Sequence, residues 1–451
     1  MIVMKFGGTS VESAEAIQRV AGIVHDRLNQ RPVVVVSAMG KTTNKLLAMA
    51  SRAAAGDLDA AIVSLEELRE FHLRESACLG VKNQGVADKI SGHFNQLADL
   101  VKGLAIMGEL TPRAIDAVSA FGERLSSLIV AASFNHAGIP AAHVDARNLI
   151  VTDRRHGQAA PLFAETNAKL MAAIPPLAQT HVPVMGGFIA SNQEGVTTTL
   201  GRGGSDYTAS IVGAGIGAEE IQIWTDVDGM LTADPTIFPG GHRVETCSFA
   251  EAAELAYFGA KVLHPATVLP AIEKNIPVRI LNSRRPEVEG TLIVSDPPPS
   301  SSPIRSIACK RNITLVNIVS SRMLMAHGFL RRIFEIFDRH ETSVDMLATS
   351  EISVSLTVDN TRALDTIRAE ISEFAEITLE SDHAIVCLVG ENIRNCPTVP
   401  ARTFTALSSA KQGSIKTRMV SQGASLLNIS LVVAAADLPR AVESLHREFF
   451  S

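Results

Sequence analysis

The chain has 451 residues, 46% of them apolar and 20% charged, with a formal net charge of −6. That length calls for two or three domains, and that composition excludes a chain dominated by disorder. There is no basic stripe, only one Trp and two Tyr, and no unbroken apolar run of the ~18 residues a membrane span needs, so neither a nucleic-acid platform nor a membrane anchor is expected.

In chain order, Ile2–Phe6 reads as a strand that empties into Lys5-Phe6-Gly7-Gly8-Thr9-Ser10. Missing side chains let a backbone approach a phosphate, the turn's N–H groups can cradle it, and the lysine adds a mobile charge. On its own such a turn is more often structural. Helical patterns cover Ser13–Leu28 and Asn44–Ala55, with a strand between them at Pro32–Ser37. Gly40-Lys41-Thr42 imitates the end of a Walker A loop, but the position five residues before Gly40 is Val35, so a P-loop is rejected. Residues 58–117 are helical in pattern and read as an insertion or lid; a further helix spans Val118–His136, and strands fall at Ala141–Asp145 and Val182–Ile189.

The next segment, Thr197-Thr198-Thr199-Leu200-Gly201-Arg202-Gly203-Gly204-Ser205-Asp206, puts three glycines before a helix over Asp206–Gly213. A helix N-terminus reached through glycines is an anion site, Ser205 or Asp206 can cap it, and Arg202 offers a fork for a carboxylate. Gly213-Ala214-Gly215-Ile216-Gly217 has the wrong spacing and context for a dinucleotide site. The strand Glu220–Asp226 ends in Asp226-Val227-Asp228-Gly229, at the edge where open α/β sheets bind ligands. In Phe258-Gly259-Ala260-Lys261-Val262-Leu263-His264-Pro265, Lys261 is a candidate phosphate contact and His264 reads as structural. A last strand runs Val278–Leu281. The alternation predicts a layered α/β domain with a mostly parallel sheet.

Asp296-Pro297-Pro298-Pro299-Ser300-Ser301-Ser302-Pro303 is a linker that cannot continue a helix or strand. Beyond it, Thr314–Val319, Leu330–Arg339, Ser343–Thr349, Ser353–Val358, Leu364–Phe374 and Ile377–Leu379 follow the order β-α-β-β-α-β, which is ferredoxin-like. The pattern recurs over Ala384–Val389, Phe404–Ala410, Ile415–Ser421, Ile429–Val433 and Ala441–Phe449. The five cysteines, Cys78, Cys247, Cys309, Cys387 and Cys396, are scattered and odd in number, which fits a reducing cytoplasm better than a disulfide framework.

Lys5–Ser10, Ser37-Ala38-Met39-Gly40 with Thr43-Asn44, Phe121-Gly122-Glu123, Thr197–Asp206, Trp224–Gly229 and Gly259–Pro265 together resemble the aspartokinases of the amino-acid kinase family, in order and over essentially the whole chain. The resemblance implies a three-layer αβα kinase domain with a mostly parallel sheet over residues 1–298. It also implies two ferredoxin-like (ACT) α+β modules over 305–381 and 382–451. The implied activity is phosphorylation of the L-aspartate side chain by ATP with Mg2+, the first step toward lysine, threonine, methionine and diaminopimelate. By analogy Lys5 and Asp206 are catalytic. Ser37, Thr43, Glu123, Arg202, Gly203, Gly204 and Ser205 hold aspartate, with Arg202 on its α-carboxylate and Glu123 on its ammonium. Lys5, Phe6, Gly7, Gly8, Thr225, Asp226 and Lys261 surround the nucleotide. Two positions depart from the family: Leu231 and Thr236 stand where a tyrosine and an arginine often meet the nucleotide.

The first module resembles an effector site built from Met323, Gly328, Phe329, Leu330, Ser343, Val344, Asp345, Thr349, Ser350 and Glu351. The implied effector is lysine or threonine, with Asp345 or Glu351 taking its ammonium, and the paired modules imply a cytoplasmic homodimer or homotetramer. Other kinases of this fold, such as glutamate 5-kinase or acetylglutamate kinase, lack the double module. A non-catalytic amino-acid sensor is the rival from another class, and Lys5, Glu123, Arg202 and Asp206 together argue against it.

Overall fold

The computed structural model describes residues 1–81, 85–258, 265–298, 302–320, 327–391, 393–422 and 426–450. It divides into two compact units, Met1–Met230 with Val262–Pro297, and Leu231–Lys261 with Pro298–Ser451.

The first unit is built on strands β1 (Ile2–Phe6), β2 (Pro32–Val36), β3 (Ala141–Val144), β4 (Val151–Thr152), β5 (Val182–Gly186), β6 (Ile189–Asn192), β7 (Thr197–Thr199) and β8 (Glu220–Thr225). Its main sheet has the order β3-β5-β2-β1-β8, continued by Val278–Asn282 and Thr291–Val294. Among these seven strands every pairing is parallel except the one between the last two. Parallel sheets are covered on both faces, and β2, all valine after Pro32, is buried throughout as that requires. The helices are α1 (Ala14–His25), α2 (Thr42–Ala54), α3 (Leu58–Cys78), α4 (Val86–Met107), α5 (Pro112–Ser119), α6 (Phe121–His136), α7 (Phe163–Leu177) and α8 (Gly204–Ile216).

Side chains of a strand alternate between its faces. Ile2, Met4 and Phe6 join one core with α1, α3, α4 and α6. Val3 and Lys5 therefore face the opposite side, where Gly213 of α8 lies against Ile221 of β8. That parity is what carries the Lys5 ammonium toward α8. The expected all-helical stretch is the pair α3 and α4, packed on α2, with α5 following. Pro112–His136 is long and apolar enough to cross a membrane, but 89% of its most apolar window is buried in this unit, as in a core helix. The short sheet β4-β6-β7 and the helix α7 were not expected from the sequence. The strands of that sheet have two to four residues, too few for a periodic signal.

The second unit has one sheet of six strands, Met346–Thr349, Ser353–Val358, Ser306–Val319, Glu376–Val389, Asn428–Ala434 and Thr417–Ser421 in that order. The central two are each 14 residues long and each serves both repeats. Residues 314–319 open the first ferredoxin-like repeat. Residues 306–310 pair with 385–389 and complete the second, which has no closing strand of its own among the described residues. The second repeat is thus discontinuous, unlike the contiguous 382–451 expected.

The segment after Met230 also differs from the expected 1–298 unit. Ala233 sits in one core with Ile304 and Ile307; Leu231 accepts a hydrogen bond from Ser306 Oγ at 2.7 Å, and Thr232 Oγ1 lies 2.9 Å from His446 Nε2. Glu251, fully buried, pairs with Arg305 at 3.3 Å.

Candidate active site

Local geometry builds the site at the carboxyl end of β1. Gly7 N–H donates to Trp224 O at 3.0 Å and Gly40 N–H to Gly8 O at 3.0 Å, which folds the first glycine turn back over β2 and β8. A Cβ on Gly8 would lie 2.9 Å from the Gly40 carbonyl oxygen, so no other residue fits there. Ser10 Oγ lies 2.8 Å from Ser283 Oγ, which in turn donates to Thr225 O at 3.1 Å. This link between the first turn and the end of β8 joins Ser10 of the first motif to Ser283, a residue the motifs did not single out.

The second glycine loop reaches α8 through Gly203, whose φ of 70° lies in the left-handed region. Asp206, in the first turn of α8, meets Lys5: Nζ to Oδ1 is 2.5 Å, and both side chains are largely buried. The two distant glycine turns therefore converge. Lys5, Ser37, Thr43, Glu123, Phe188, Gly201, Gly203, Gly204, Ser205 and Asp206 line one cleft with a volume of about 280 Å³.

Glu123 lies in the first turn of α6 and is buried. Its Oε1 accepts from Ala38 N–H at 3.1 Å, while Oε2 has no partner among the described residues. Burial pushes this carboxyl up to about 8, against the hydrogen bond from Ala38. A buried oxygen without a donor, on a wall of a cleft, is a seat waiting for a cation or an N–H group.

Arg202 does not line the cavity; it stands exposed on the same loop and makes no hydrogen bond or ion pair among the described residues. Thr225 and the exposed Asp226 sit at the end of β8, where Thr225 Oγ1 donates to Asp226 Oδ1 at 3.3 Å. Asp228 is held instead by Asn282 at 2.6 Å and by Arg285, which makes it a turn residue. Lys261 and Met323 lie outside the described residues, as does His264.

One wall of the cleft was missed. Met185-Gly186-Gly187-Phe188 stands at the end of β5 as Phe6-Gly7-Gly8-Thr9 stands at the end of β1, and that repeated strand-Gly-Gly signal was available in the sequence. A Cβ on Gly186 would stand 2.9 Å from Glu123 Cβ, and one on Gly187 2.7 Å from Ser205 Cα. Phe188 holds a φ of 65°, an uncommon conformation for a bulky residue, with its N–H on Thr208 Oγ1 at 2.9 Å.

Of the expected effector residues, Gly328 (φ 82°) caps the helix Phe329–Arg339, Phe329 and Val344 pack against one core, and Leu330 is partly exposed. The Asp345 side chain is buried; its Oδ1 pairs with Lys310 Nζ at 2.6 Å and receives Tyr257 OH at 3.4 Å, while Oδ2 has no partner among the described residues. Burial raises the Asp345 pKa despite Lys310. Ser343, Thr349, Ser350 and Glu351 are exposed. The four-residue strand Met346–Thr349 separates Asp345 from Ser350 by about 16 Å at the usual rise per residue, so Ser350 stands apart from the Asp345 carboxylate.

A lysine paired with an acid at a helix N-terminus, between glycine turns on a parallel sheet, defines a phosphotransferase acting on a small molecule. The pattern of the amino acid kinase family matches residues 1–282, and that of the ACT domain residues 316–374 and 386–449. Aspartokinase 2, chloroplastic, of Arabidopsis thaliana is 39% identical over 475 residues, covering 99% of this chain and 84% of that protein. The structure of E. coli aspartokinase III with lysine and aspartate (T-state) superposes with a TM-score of 0.86, and its complex with aspartate and ADP (R-state) with 0.82. Both are 34% identical, and 100% of each chain is covered. The chain belongs to the amino acid kinase family, within it to the aspartokinases.

Proposed function

We propose that this cleft transfers the γ-phosphoryl group of ATP to the side-chain carboxylate of L-aspartate, giving 4-phospho-L-aspartate, with Lys5 and Asp206 as the catalytic pair. The observation that carries this reading is the unpartnered Glu123 oxygen across the same 280 Å³ cleft from the Lys5–Asp206 pair. Glu123 receives the substrate ammonium, and Arg202 the α-carboxylate. Ser37, Thr43 and the Gly203-Gly204-Ser205 turn hold the rest. An aspartate side chain titrates near ~3.9, so the nucleophile is already ionised at neutral pH and needs no general base. The site's work is alignment, and cancellation of repulsion between a carboxylate and a triphosphate. Lys5 Nζ, held by Asp206 Oδ1, is aimed at the transferring group. The close-packed turn at Gly7 and Gly8 fits a phosphate chain, with Thr225 and Asp226 beside the nucleotide; Lys261 keeps the nucleotide role that the resemblance implies. Asp226, exposed at the end of β8, would face Mg2+ carried by the nucleotide, which would supply neutralisation of phosphate charge.

We also infer feedback control by lysine or threonine through Asp345, whose buried Oδ2 can take an ammonium group. The separation of Asp345 from Ser350 and Glu351 favours a site completed by a second copy. The partly exposed Phe334, Leu347, Ile352 and Val420 favour a homodimer or homotetramer assembled through the ACT modules. Five free cysteines fit a cytoplasmic enzyme at the head of lysine, threonine and diaminopimelate synthesis. The test is trapping the acyl phosphate with hydroxylamine, given ATP and aspartate, glutamate or neither. Hydroxamate with aspartate alone is expected. Equal yield with glutamate, or none with either, overturns the reading.

A further inference from the structure

We propose that Asp116, a residue outside the cleft, is the positioning residue that fixes the spacing between the two ends of the aspartate seat; this rests on the roles given above to Glu123 and to the loop that bears Arg202. The Asp116 side chain is fully buried on α5. Its Oδ1 accepts from Thr199 Oγ1 at 2.5 Å and from Gly157 N–H at 3.1 Å. Its Oδ2 accepts from His156 Nδ1 at 2.7 Å and from the same Gly157 N–H at 3.1 Å. Both oxygens are thus used, by donors from two further segments.

Those segments lead to two different parts of the cleft lining, Glu123 and the loop from Gly201 to Ser205. Ala120 ends α5 and opens α6, and Glu123 lies in the first turn of α6, so the ammonium seat hangs from the helix that carries Asp116. Thr199 ends β7, and the chain passes directly into Leu200, Gly201 and Arg202. The loop at Gly157 and Gln158 presses on that passage. Ala159 N–H donates to Thr199 O at 2.9 Å, and a Cβ on Gly201 would meet both Gln158 Cγ and Gly157 O at 3.1 Å. One carboxylate therefore ties the Glu123 wall, the 156–158 loop and the root of the Arg202 loop together. Hydrogen bonds to a carboxylate are shorter and stronger than those between neutral groups, and a buried donor left without its acceptor is costly. A substrate gripped at its ammonium by one wall and at its α-carboxylate by the other is sensitive to their separation, because misplacement by about 1 Å costs up to 10²-fold in rate. Nucleotide contacts at Gly7, Gly8 and Thr225 are tied to one another through Ser10 and Ser283 and do not depend on this clamp.

The test uses the full-length enzyme and steady-state kinetics with each substrate varied, on Asp116→Ala, Asp116→Asn, Thr199→Val and the double variant Asp116→Ala/Glu123→Gln. Asp116→Ala should raise KM for aspartate about tenfold, with KM for ATP within about twofold. Asp116→Asn, which still accepts from Gly157 and can donate to Thr199, should recover most of that loss. If the clamp acts through Glu123, the Asp116→Ala penalty should shrink in the Glu123→Gln background. Equal rises in both KM values, or a penalty that adds in full to that of Glu123→Gln, would overturn the proposal. Should Asp116→Ala not fold, Thr199→Val and Asp116→Asn carry the same comparison of the two KM values. A Glu123→Gln enzyme with an unchanged KM for aspartate would instead refute the ammonium seat itself, an outcome distinct from failure of the clamp.

Discussion

The buried carboxyl of Glu123 makes aspartate binding a proton-coupled event. Burial raises its pKa from the ordinary 4.5 to about 8. At pH 7 about nine-tenths of it is therefore protonated in the empty enzyme. An arriving ammonium favours the ionised form, so binding must expel close to one proton. KM for aspartate should fall nearly tenfold per pH unit from pH 6 to about 7.5, then level off above about pH 8. Calorimetric titration in two buffers of different ionisation enthalpy should count ~0.9 proton released at pH 7. The sign for folding is the opposite. A group whose folded pKa is raised gives its full stability below pH 4.5 and loses it progressively up to about 8, at a cost of up to about 5 kcal/mol. The empty enzyme should therefore melt at lower temperature as pH rises through that window, while Glu123→Gln is flatter. A KM for aspartate that is flat from pH 6 to 8, with no proton released on binding, would refute the reasoning.

Other outcomes follow from the same geometry. Lys5→Met should lower kcat by about 10³-fold, measured by coupled ADP release, because the charge on the transferring group is lost. Asp206→Asn should lower kcat by about 10²-fold with a smaller change in either KM, since it frees Lys5 from its aim. Gly8→Ala drives a Cβ into the Gly40 carbonyl and should cost about 1–3 kcal/mol in denaturant unfolding, along with ATP binding. Asp345→Asn should raise the concentration of lysine or threonine giving half-inhibition about tenfold. No change for the inhibitory amino acid would remove Asp345 from the effector site.

The local chemistry was legible in the chain itself. Strands such as Ile2–Phe6 and Ser353–Val358 came from runs of β-branched residues. The two glycine turns, and the opposed charges at Lys5 and Asp206, came from residue types that suit a phosphate site when they occur together. Each of these signals is contained within about ten residues of chain, the reach of local sterics and periodicity. Folding decided what joins across distance. The parity of β1 turns Lys5 toward α8, and the close approaches at Gly186 and Gly187 bring Glu123 and Ser205 into one cleft. Pairing of residues 306–310 with 385–389 makes one sheet of two repeats. Asp116, an unremarkable acid in a helix, gains its meaning only from Thr199 and Gly157, 83 and 41 residues away. Burial, and with it the altered acidity of Glu123, belongs to no sequence window, because the low dielectric around a side chain is made by every element packed against it.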